Sequence, residues 1–210
     1  MFWDRWLKRR IDNGSISALL DPARPLRPSL WPLVEQSPNE PVRILEVGAG
    51  PIASVGMCHP RRRVEITATD VLADRYDSIL RRRGLTPPVR TIRADAERLS
   101  EQFGPESFDV VYAENCVDHM EQPLRAIRQM ATVVRVGGCV VMEHGIDEGA
   151  HQHYVGLHQW NLTASDGTLL VWNRATSHDV GCLLAPWCEV RAEAREGTLV
   201  VEIRKLAPAP

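Results

Sequence analysis

The segment Ile44-Leu-Glu-Val-Gly-Ala-Gly50 is an apolar run that ends in glycines. It predicts a buried β-strand over Val42–Val47 followed by a turn, because short apolar runs bounded by glycine are typical of strands in a covered sheet. Open α/β sheets bind ligands beyond the carboxyl ends of their strands, where glycines let the backbone approach a ligand closely. Taken alone, the segment fits an ordinary strand-to-helix turn equally well.

Strand-like and helix-like segments alternate after this first strand. Further strands are predicted at Val64–Thr69, Val89–Arg93, Phe108–Ala113 and Gly138–Glu143, with helices near Ala73–Arg83 and Pro123–Val134. The alternation indicates a parallel sheet covered on both faces. Near the carboxyl end, Glu189–Ala194 and Thr198–Lys205 alternate apolar and polar residues and predict a β-hairpin. We therefore expect an α/β fold, a Rossmann-like doubly wound sheet that is mostly parallel with a C-terminal antiparallel hairpin.

A proline-rich stretch sets the N-terminal part of the chain apart. Residues 3–20 predict a helix with Trp3 and Trp6 on one stripe, which either covers a ligand as a lid or docks the helix on the sheet. Six prolines between positions 22 and 41 predict an extended connector with at most one short turn. We expect residues 1–41 to be a lid or acceptor-site element and residues 42–206 to be the main domain. An insertion at about 144–182 includes a further predicted strand, Thr168–Trp172.

Length, charge and cysteine usage narrow the class of protein. The 210 residues fit one domain, and a formal net charge of −2 argues against nucleic-acid binding by bulk electrostatics. We expect the arginine runs 61–63 and 81–83 to be solvated surface. The five cysteines are scattered and contain no Cys-x-x-Cys pair, which predicts reduced thiols in a cytoplasmic protein. No apolar run reaches the length of a membrane span, so no membrane partner is expected.

Glycine or polar residues follow four of the predicted strands. They are Gly48, Ala49 and Gly50, then Asp70, then Asp95, then Glu114 and Asn115. Asp70 follows the glycine turn by about twenty residues, a position from which an acid accepts hydrogen bonds from ribose hydroxyls. Asp95 alone also fits a helix N-cap. Together these residues outline one crevice.

Two nucleotide cofactors fit such a crevice. The pattern Gly48-x-Gly50-x-x-Ala53 followed by Asp70 also matches the dinucleotide fingerprint. However, Glu46 would repel a pyrophosphate, and Pro51-Ile52 is a poor phosphate cradle compared with a glycine-rich helix start. S-adenosylmethionine carries an ammonium and a sulfonium and no phosphate, so an acid-rich site favours it.

With these motifs in view, the chain resembles class I S-adenosylmethionine-dependent methyltransferases of the small-molecule, type 11-like kind. The resembling segments are residues 44–50, Thr69-Asp70-Val71, Asp95-Ala96, Phe108–Val111 with Asn115–His119, and Arg135–Gly138. It covers roughly residues 42–143 and the closing hairpin. One departure is Ile52, where the family commonly has a third glycine.

The resemblance implies S-adenosylmethionine as cofactor and S-adenosylhomocysteine as product. The implied cofactor contacts are Glu46, Gly48, Ala49, Gly50, Asp70, Val71, Asp95, Ala96 and Glu114. In this family the acceptor site usually forms from the N-terminal segment and from insertions after the fourth and fifth strands.

The insertion is rich in histidine, tyrosine and tryptophan, the side chains that line polar pockets. We predict Tyr154 and Trp160 as acceptor contacts, with core or lid packing as the alternative. His119, His144 and His158 are candidates for a general base or an acceptor contact, because imidazole exchanges protons near neutral pH. His119 alternatively packs under the cofactor. The histidine spacing matches no metal pattern, so no metal site is expected.

The leading hypothesis is therefore methyl transfer to an oxygen, nitrogen or carbon centre of a small-molecule acceptor. Two alternatives remain open. The first is a methyltransferase-like binding or partner subunit without turnover, and the second is an S-adenosylmethionine-dependent enzyme of another reaction type. The sequence does not predict which molecule is the acceptor, and it is compatible with a monomer or a homodimer.

Overall fold

The computed structural model describes residues 2–210. The strands are β1 (Val42–Val47), β2 (Val64–Asp70), β3 (Ile92–Arg93), β4 (Phe108–Glu114), β5 (Val134–Gly145), β6 (Asn161–Ser165), β7 (Thr168–Trp172), β8 (Ser177–Asp179), β9 (Cys188–Arg195) and β10 (Thr198–Lys205). The α-helices are α1 (Phe2–Asp12), α2 (Ile16–Leu20), α3 (Trp31–Gln36), α4 (Ala73–Arg83), α5 (Leu99–Phe103), α6 (Pro123–Val133), α7 (Glu148–His151) and α8 (Val180–Leu184).

The main sheet has seven strands in the order β3-β2-β1-β4-β5-β10-β9. Strands β1 to β5 run parallel, whereas β10 pairs antiparallel with both β5 and β9. The predicted fold class, a mostly parallel Rossmann-like sheet with a C-terminal antiparallel hairpin, is confirmed. Because β1, β2, β4 and β5 are parallel neighbours, their carboxyl ends meet at one edge of the sheet.

Each face of the sheet packs against a different layer. On β4, Val111 and Ala113 belong to the core that contains α6, whereas Val110 and Tyr112 belong to the core on the opposite face. This alternation follows from the two-residue period of a strand, which sends successive side chains to opposite faces. The opposite core contains Leu26, Leu30 and Val34 from the connector.

The connector takes the place of a helix after β1. Residues 48–63, between β1 and β2, form only turns and loops, and Pro25 forms a bridge to Cys58 within them. The prediction of an extended connector was wrong over residues 28–36, which form a 3₁₀ turn and then α3. Both helical pieces carry proline in their first two positions, where its missing N–H costs no helical hydrogen bond.

Two further sequence predictions need correction. The helix expected over residues 3–20 is broken into α1 and α2, because Gly14 has a φ of +74° and the Asn13 side chain accepts a hydrogen bond from the Ser15 amide. The strand expected at Val89–Arg93 is shortened to Ile92–Arg93. It pairs only with the last two residues of β2, so the segment before it has no partner strand alongside.

The insertion forms a small antiparallel sheet of β6, β7 and β8, and the strand predicted at Thr168–Trp172 is confirmed as β7. Leu162, Leu169 and Val171 from this sheet join the core that contains α6. The insertion therefore packs against the core of the main domain. Over residues 2–210, none of the helices combines the length and the apolar character that crossing a membrane requires.

Candidate functional site

The glycine turn after β1 is tightly enclosed. Gly48 and Gly50 have φ values of +69° and +65°, a left-handed conformation that favours glycine. A Cβ on Gly48 would lie 2.6 Å from the Cβ of Cys116, and a Cβ on Gly50 would lie 2.7 Å from the ring of Trp3. Any larger residue at either position would therefore collide as well as strain the backbone.

Asp70 fixes this turn from the end of β2. Its carboxylate accepts hydrogen bonds from the amides of Gly50 at 3.1 Å and Leu72 at 2.8 Å. The Ala49 amide donates to the Thr69 carbonyl at 2.9 Å, which ties the turn to the same strand end. Val71 is exposed beside it. A groove of about 270 Å³ opens here, lined by Val71, Leu72, Asp74, Arg75 and Arg93.

Glu46 lies buried beneath the turn. One oxygen accepts hydrogen bonds from the amide and the hydroxyl of Ser54, both at 2.7 Å. The other oxygen, Oε2, has no hydrogen-bond partner among residues 2–210. Burial raises the pKa of Glu46 to about 7, because the charged form loses its hydration. Near neutral pH this carboxyl can therefore gain or lose a proton.

The carboxylates at the strand ends lie near the side chain of Cys116. Burial raises the pKa of the Cys116 thiol, and the carboxylates of Asp118, Asp70, Glu46 and Glu114 raise it further. The thiol is consequently neutral, and it contacts the Val47 carbonyl at 3.3 Å. The acids at the ends of β1, β2 and β4 thus all lie near the Cys116 thiol, and this region is called the crevice below.

Beside this crevice, one aspartate is surrounded by three histidines. Asp118 and His119 lie in the 3₁₀ turn Val117–His119 after β4, His144 is near the end of β5, and His158 lies in the loop before β6. His158 Nδ1 is 2.8 Å from Asp118 Oδ2, and His119 Nε2 is 3.3 Å from the same oxygen. The two nitrogens are 3.2 Å apart. His144 Nδ1 lies 3.9 Å from Asp118 Oδ1.

Two of these histidines have a low pKa. Burial lowers the pKa of His144 to about 4, and burial also lowers that of His119. Each is therefore a neutral imidazole at neutral pH, with a nitrogen lone pair to offer. The sequence reasoning included Asp118 only as part of a motif. Its direct neighbour His119 was the signal that could have singled it out.

The remaining predicted site residues lie in other surroundings. Asp95 caps the 3₁₀ turn Ala96–Arg98 by accepting the Glu97 amide, and Ala96 packs against the core that contains α6. Trp160 packs against that same core. Tyr154 accepts a hydrogen bond from Asn161 and lies under the guanidinium of Arg174.

The N-terminal segment contacts this edge of the sheet at several places. The Trp3 ring that covers Gly50 also packs edge-on against Tyr76, at 5.9 Å between centroids. Arg27 forms an ion pair with Glu114, so this predicted cofactor contact is engaged by the connector. The Ser29 hydroxyl donates to Glu143 at 2.6 Å. Both α1 and the connector therefore lie against the crevice.

Comparisons with known proteins identify a matching family profile and structures of similar fold. The profile of the family described as methyltransferase domain matches residues 45–142. A candidate S-adenosyl-L-methionine-dependent methyltransferase from Methanococcus maripaludis superposes with a TM-score of 0.54 at 10% identity, over 96% of this chain and 93% of that one. No curated protein sequence matches the chain.

Two further solved structures have the same fold. The CurJ carbon methyltransferase aligns at 16% identity with a TM-score of 0.54, over 83% of this chain and 51% of that one. The CMeT domain of the citrinin polyketide synthase aligns at 18% identity with a TM-score of 0.53, over 84% of this chain and 50% of that one. The present chain thus spans about half the length of each.

The profile match and the fold together confirm the resemblance predicted from the sequence. The chain has the class I methyltransferase fold, and residues 45–142 match the profile of the methyltransferase domain.

Proposed function

We propose that this protein transfers a methyl group from S-adenosylmethionine to an oxygen, nitrogen or carbon centre of a small molecule. The observation that carries the proposal is the convergence of the strand-end acids on the crevice beside Asp118 and its three histidines. A cationic cofactor is favoured where carboxylates converge, and a polar acceptor is favoured where imidazoles converge.

The residues present fit the chemistry of this cofactor. The buried Glu46 oxygen without a partner would be satisfied by a cationic group, and an ammonium or sulfonium is such a group. Gly48, Ala49 and Gly50 would hold the cofactor from the turn, and Asp70 with Val71 from the end of β2. When bound, S-adenosylmethionine supplies a methyl group already activated on a positively charged sulfur. Because the Trp3 ring covers Gly50, we expect α1 to shift when the cofactor enters.

The other predicted cofactor contacts have proposed roles that follow from the residues they contact. Asp95 and Ala96 would bound the adenine side from the end of β3, and Glu114 would act through its ion pair with Arg27. We assign residues 1–41 the role of a lid, since both α1 and the connector lie against the crevice. Residues 42–206 are then the methyltransferase domain, and the insertion at about 144–182 brings His158 to the acceptor side.

The chain's own part in the reaction is alignment and exclusion of water, because the methyl group needs no further activation. Asp118, His119 and His158 would orient the acceptor atom. His144, the third predicted base candidate, would stay a neutral imidazole behind them, because a pKa of about 4 makes it a weak base near neutral pH. Tyr154 and Trp160 remain proposed as acceptor contacts at the outer wall of the insertion.

Calorimetry with S-adenosylhomocysteine tests the cofactor half of the proposal. We expect the wild-type protein to bind it and Asp70→Ala to weaken binding by about tenfold, or about 1.4 kcal/mol. Asp77→Ala is the matched control, since Asp77 is an acid on α4 that pairs only with the exposed Arg90. If the wild-type protein binds neither S-adenosylhomocysteine nor S-adenosylmethionine, the proposal fails.

The acceptor half is tested with methyl-labelled S-adenosylmethionine and a cell extract divided by dialysis. Label transferred to molecules from the dialysable fraction supports a small-molecule acceptor. Label transferred only to the retained macromolecules contradicts it. Cofactor binding without transfer to either fraction would instead identify a non-catalytic binding subunit.

A further inference from the structure

Three ligand atoms converge near the carboxyl ends of β4 and β5: Asp118 Oδ2, His119 Nε2 and His158 Nδ1. Their mutual separations are 2.8, 3.2 and 3.3 Å. In a site whose metal–ligand distances are about 2.0–2.2 Å, ligands at right angles lie about 3 Å apart and tetrahedral ligands about 3.4 Å apart. The three atoms therefore already have the spacing of ligands around one metal ion.

Hydrogen bonds among these three atoms satisfy them poorly. His158 Nδ1 can donate to Asp118 Oδ2, but His119 Nε2 then lies between a carboxylate oxygen and another nitrogen. If His119 Nε2 carries a proton, both imidazole N–H groups can donate to the same carboxylate oxygen, but the two nitrogens are then only 3.2 Å apart. If it carries none, its lone pair faces a negative charge. One cation among the three atoms would satisfy all of them.

A second observation points to the same place. Asp118 is buried, with 1% of its side chain exposed, and no lysine or arginine of residues 2–210 lies within 4.0 Å to balance its charge. Within the part of the chain that the structure describes, Asp118 Oδ1 has no hydrogen-bond partner, and neither ring nitrogen of His144 has one. His144 is itself 2% exposed and directs Nδ1 toward that oxygen at 3.9 Å. A buried carboxylate left in this state is costly unless a cation compensates it.

We propose that Asp118, His119 and His158 bind a divalent transition-metal ion, with His144 beside the site supporting the Asp118 carboxylate. Two imidazoles and one carboxylate suit ions such as Zn²⁺ or Fe²⁺, and three protein ligands leave coordination positions open. This proposal departs from the prediction, made from histidine spacing, that there is no metal site. The spacing matched no known pattern because the ligands come from two distant segments.

The metal site lies where the proposed function places the methyl acceptor. Its role in binding that acceptor rests on the proposed function. An ion with open positions would bind the acceptor's oxygen or nitrogen directly and hold it beside the crevice. The acceptor class it favours is a small molecule with a hydroxyl, phenol, carboxylate or amine able to coordinate a metal. Metal binding itself can be measured without any cofactor or acceptor.

The test titrates tag-free, chelator-treated protein with Co²⁺ and follows visible absorption, with Zn²⁺ as competitor. We expect about one ion per chain, displaced by Zn²⁺, and we expect His158→Ala and His119→Ala each to weaken binding at least about tenfold. His151→Ala and His153→Ala are matched controls, because both residues are exposed histidines of the same insertion. Far-UV circular dichroism of each variant ensures that lost binding reflects lost ligands.

Three outcomes would overturn the inference. They are a wild-type protein that binds no Co²⁺, a folded His119→Ala,His158→Ala double variant that binds as well as wild type, and controls that lose binding equally. The proposed function fails separately. If S-adenosylhomocysteine binds and methyl transfer proceeds but the protein binds no Co²⁺, only the metal site is refuted, whereas metal binding without cofactor binding refutes only the methyltransferase.

Discussion

Asp109 connects four separate segments at the edge of the sheet opposite the crevice. Its buried carboxylate accepts hydrogen bonds from Arg135 Nε at 2.7 Å, the Arg43 amide at 2.9 Å, the Ser37 hydroxyl at 2.9 Å and Asn39 Nδ2 at 2.7 Å. Burial alone would raise the pKa of Asp109, but the Arg135 pair and these hydrogen bonds outweigh it and lower the pKa. The Asp109→Asn substitution should therefore destabilise the fold.

The expected loss of stability in Asp109→Asn follows from the hydrogen-bond partners of the Asp109 carboxylate. Oδ1 accepts three of the four hydrogen bonds and Oδ2 accepts the one from the Arg43 amide. An asparagine oxygen at the Oδ1 position therefore keeps three of them without the negative charge, but its N–H₂ group faces the Arg43 N–H, so one hydrogen bond is lost and two donors oppose each other. Hydrogen bonds to a charged group contribute about 1.5–3 kcal/mol each, and breaking a buried ion pair costs about 3–5 kcal/mol. Because the Arg135 side chain is 20% exposed and can regain water, we expect a loss near the lower end, about 3 kcal/mol.

Urea denaturation of wild type and Asp109→Asn at neutral pH measures the loss. Asp77→Asn is the control and should leave the free energy of unfolding nearly unchanged, because exposed ion pairs contribute little. The pKa of Asp109 is lower in the folded state, so its contribution is present above its unfolded pKa of about 4 and fades as pH falls further. The gap between wild type and variant should shrink below about pH 4. A loss no larger than that of Asp77→Asn would refute the reasoning.

Two further predictions concern the crevice. Because the pKa of Glu46 is about 7 and a cationic ligand favours its carboxylate form, S-adenosylmethionine affinity should rise from about pH 6 to pH 8. Calorimetry should show this rise flattened in Glu46→Gln, and an unchanged pH profile would show that Glu46 is not the titrating group. Trp3→Ala should speed association of S-adenosylhomocysteine in stopped-flow fluorescence, because the Trp3 ring covers Gly50. Trp6→Ala is its control, and equal association rates in wild type and Trp3→Ala would show that Trp3 does not obstruct entry.

The central elements could be predicted because their signals are local. Helix α4 spans Ala73–Arg83 as expected, since apolar residues at helical spacing end at Gly84, a left-handed C-cap. Strand β1 spans Val42–Val47 as expected, since a mostly apolar run ends at a glycine turn. The strand-end acids followed from the same reasoning, because parallel neighbouring strands must end at one edge.

The connector could not be predicted from local signals. Its prolines indicated extended chain, yet Leu26, Leu30 and Val34 are spaced four apart and form one buried stripe. These side chains are buried because residues 48–63 form no helix and leave one face of the sheet for the connector to cover. Long-range packing therefore decided a segment whose composition favoured another structure.

The histidine cluster was the least predictable part, because it depends on how the insertion folds back. His158 lies 40 positions beyond Asp118. It is carried by a loop that begins after α7, where the Ala150 amide donates to the Asn161 side chain at 2.7 Å and the Gly149 amide to the Trp160 carbonyl at 3.1 Å. These bonds close the loop at its base and fix where His158 falls.

The two halves of the site thus have different structural origins. The glycine turn, Asp70 and Glu46 belong to strand ends and turns of the main sheet, whereas His158 is delivered by the insertion. Asp118 and His119 lie between the two halves, in the turn after β4. Changes within the loop at 152–160 are therefore expected to alter the proposed acceptor side without disturbing the proposed cofactor side. This separation explains why the sequence predicts a cofactor class but not an acceptor.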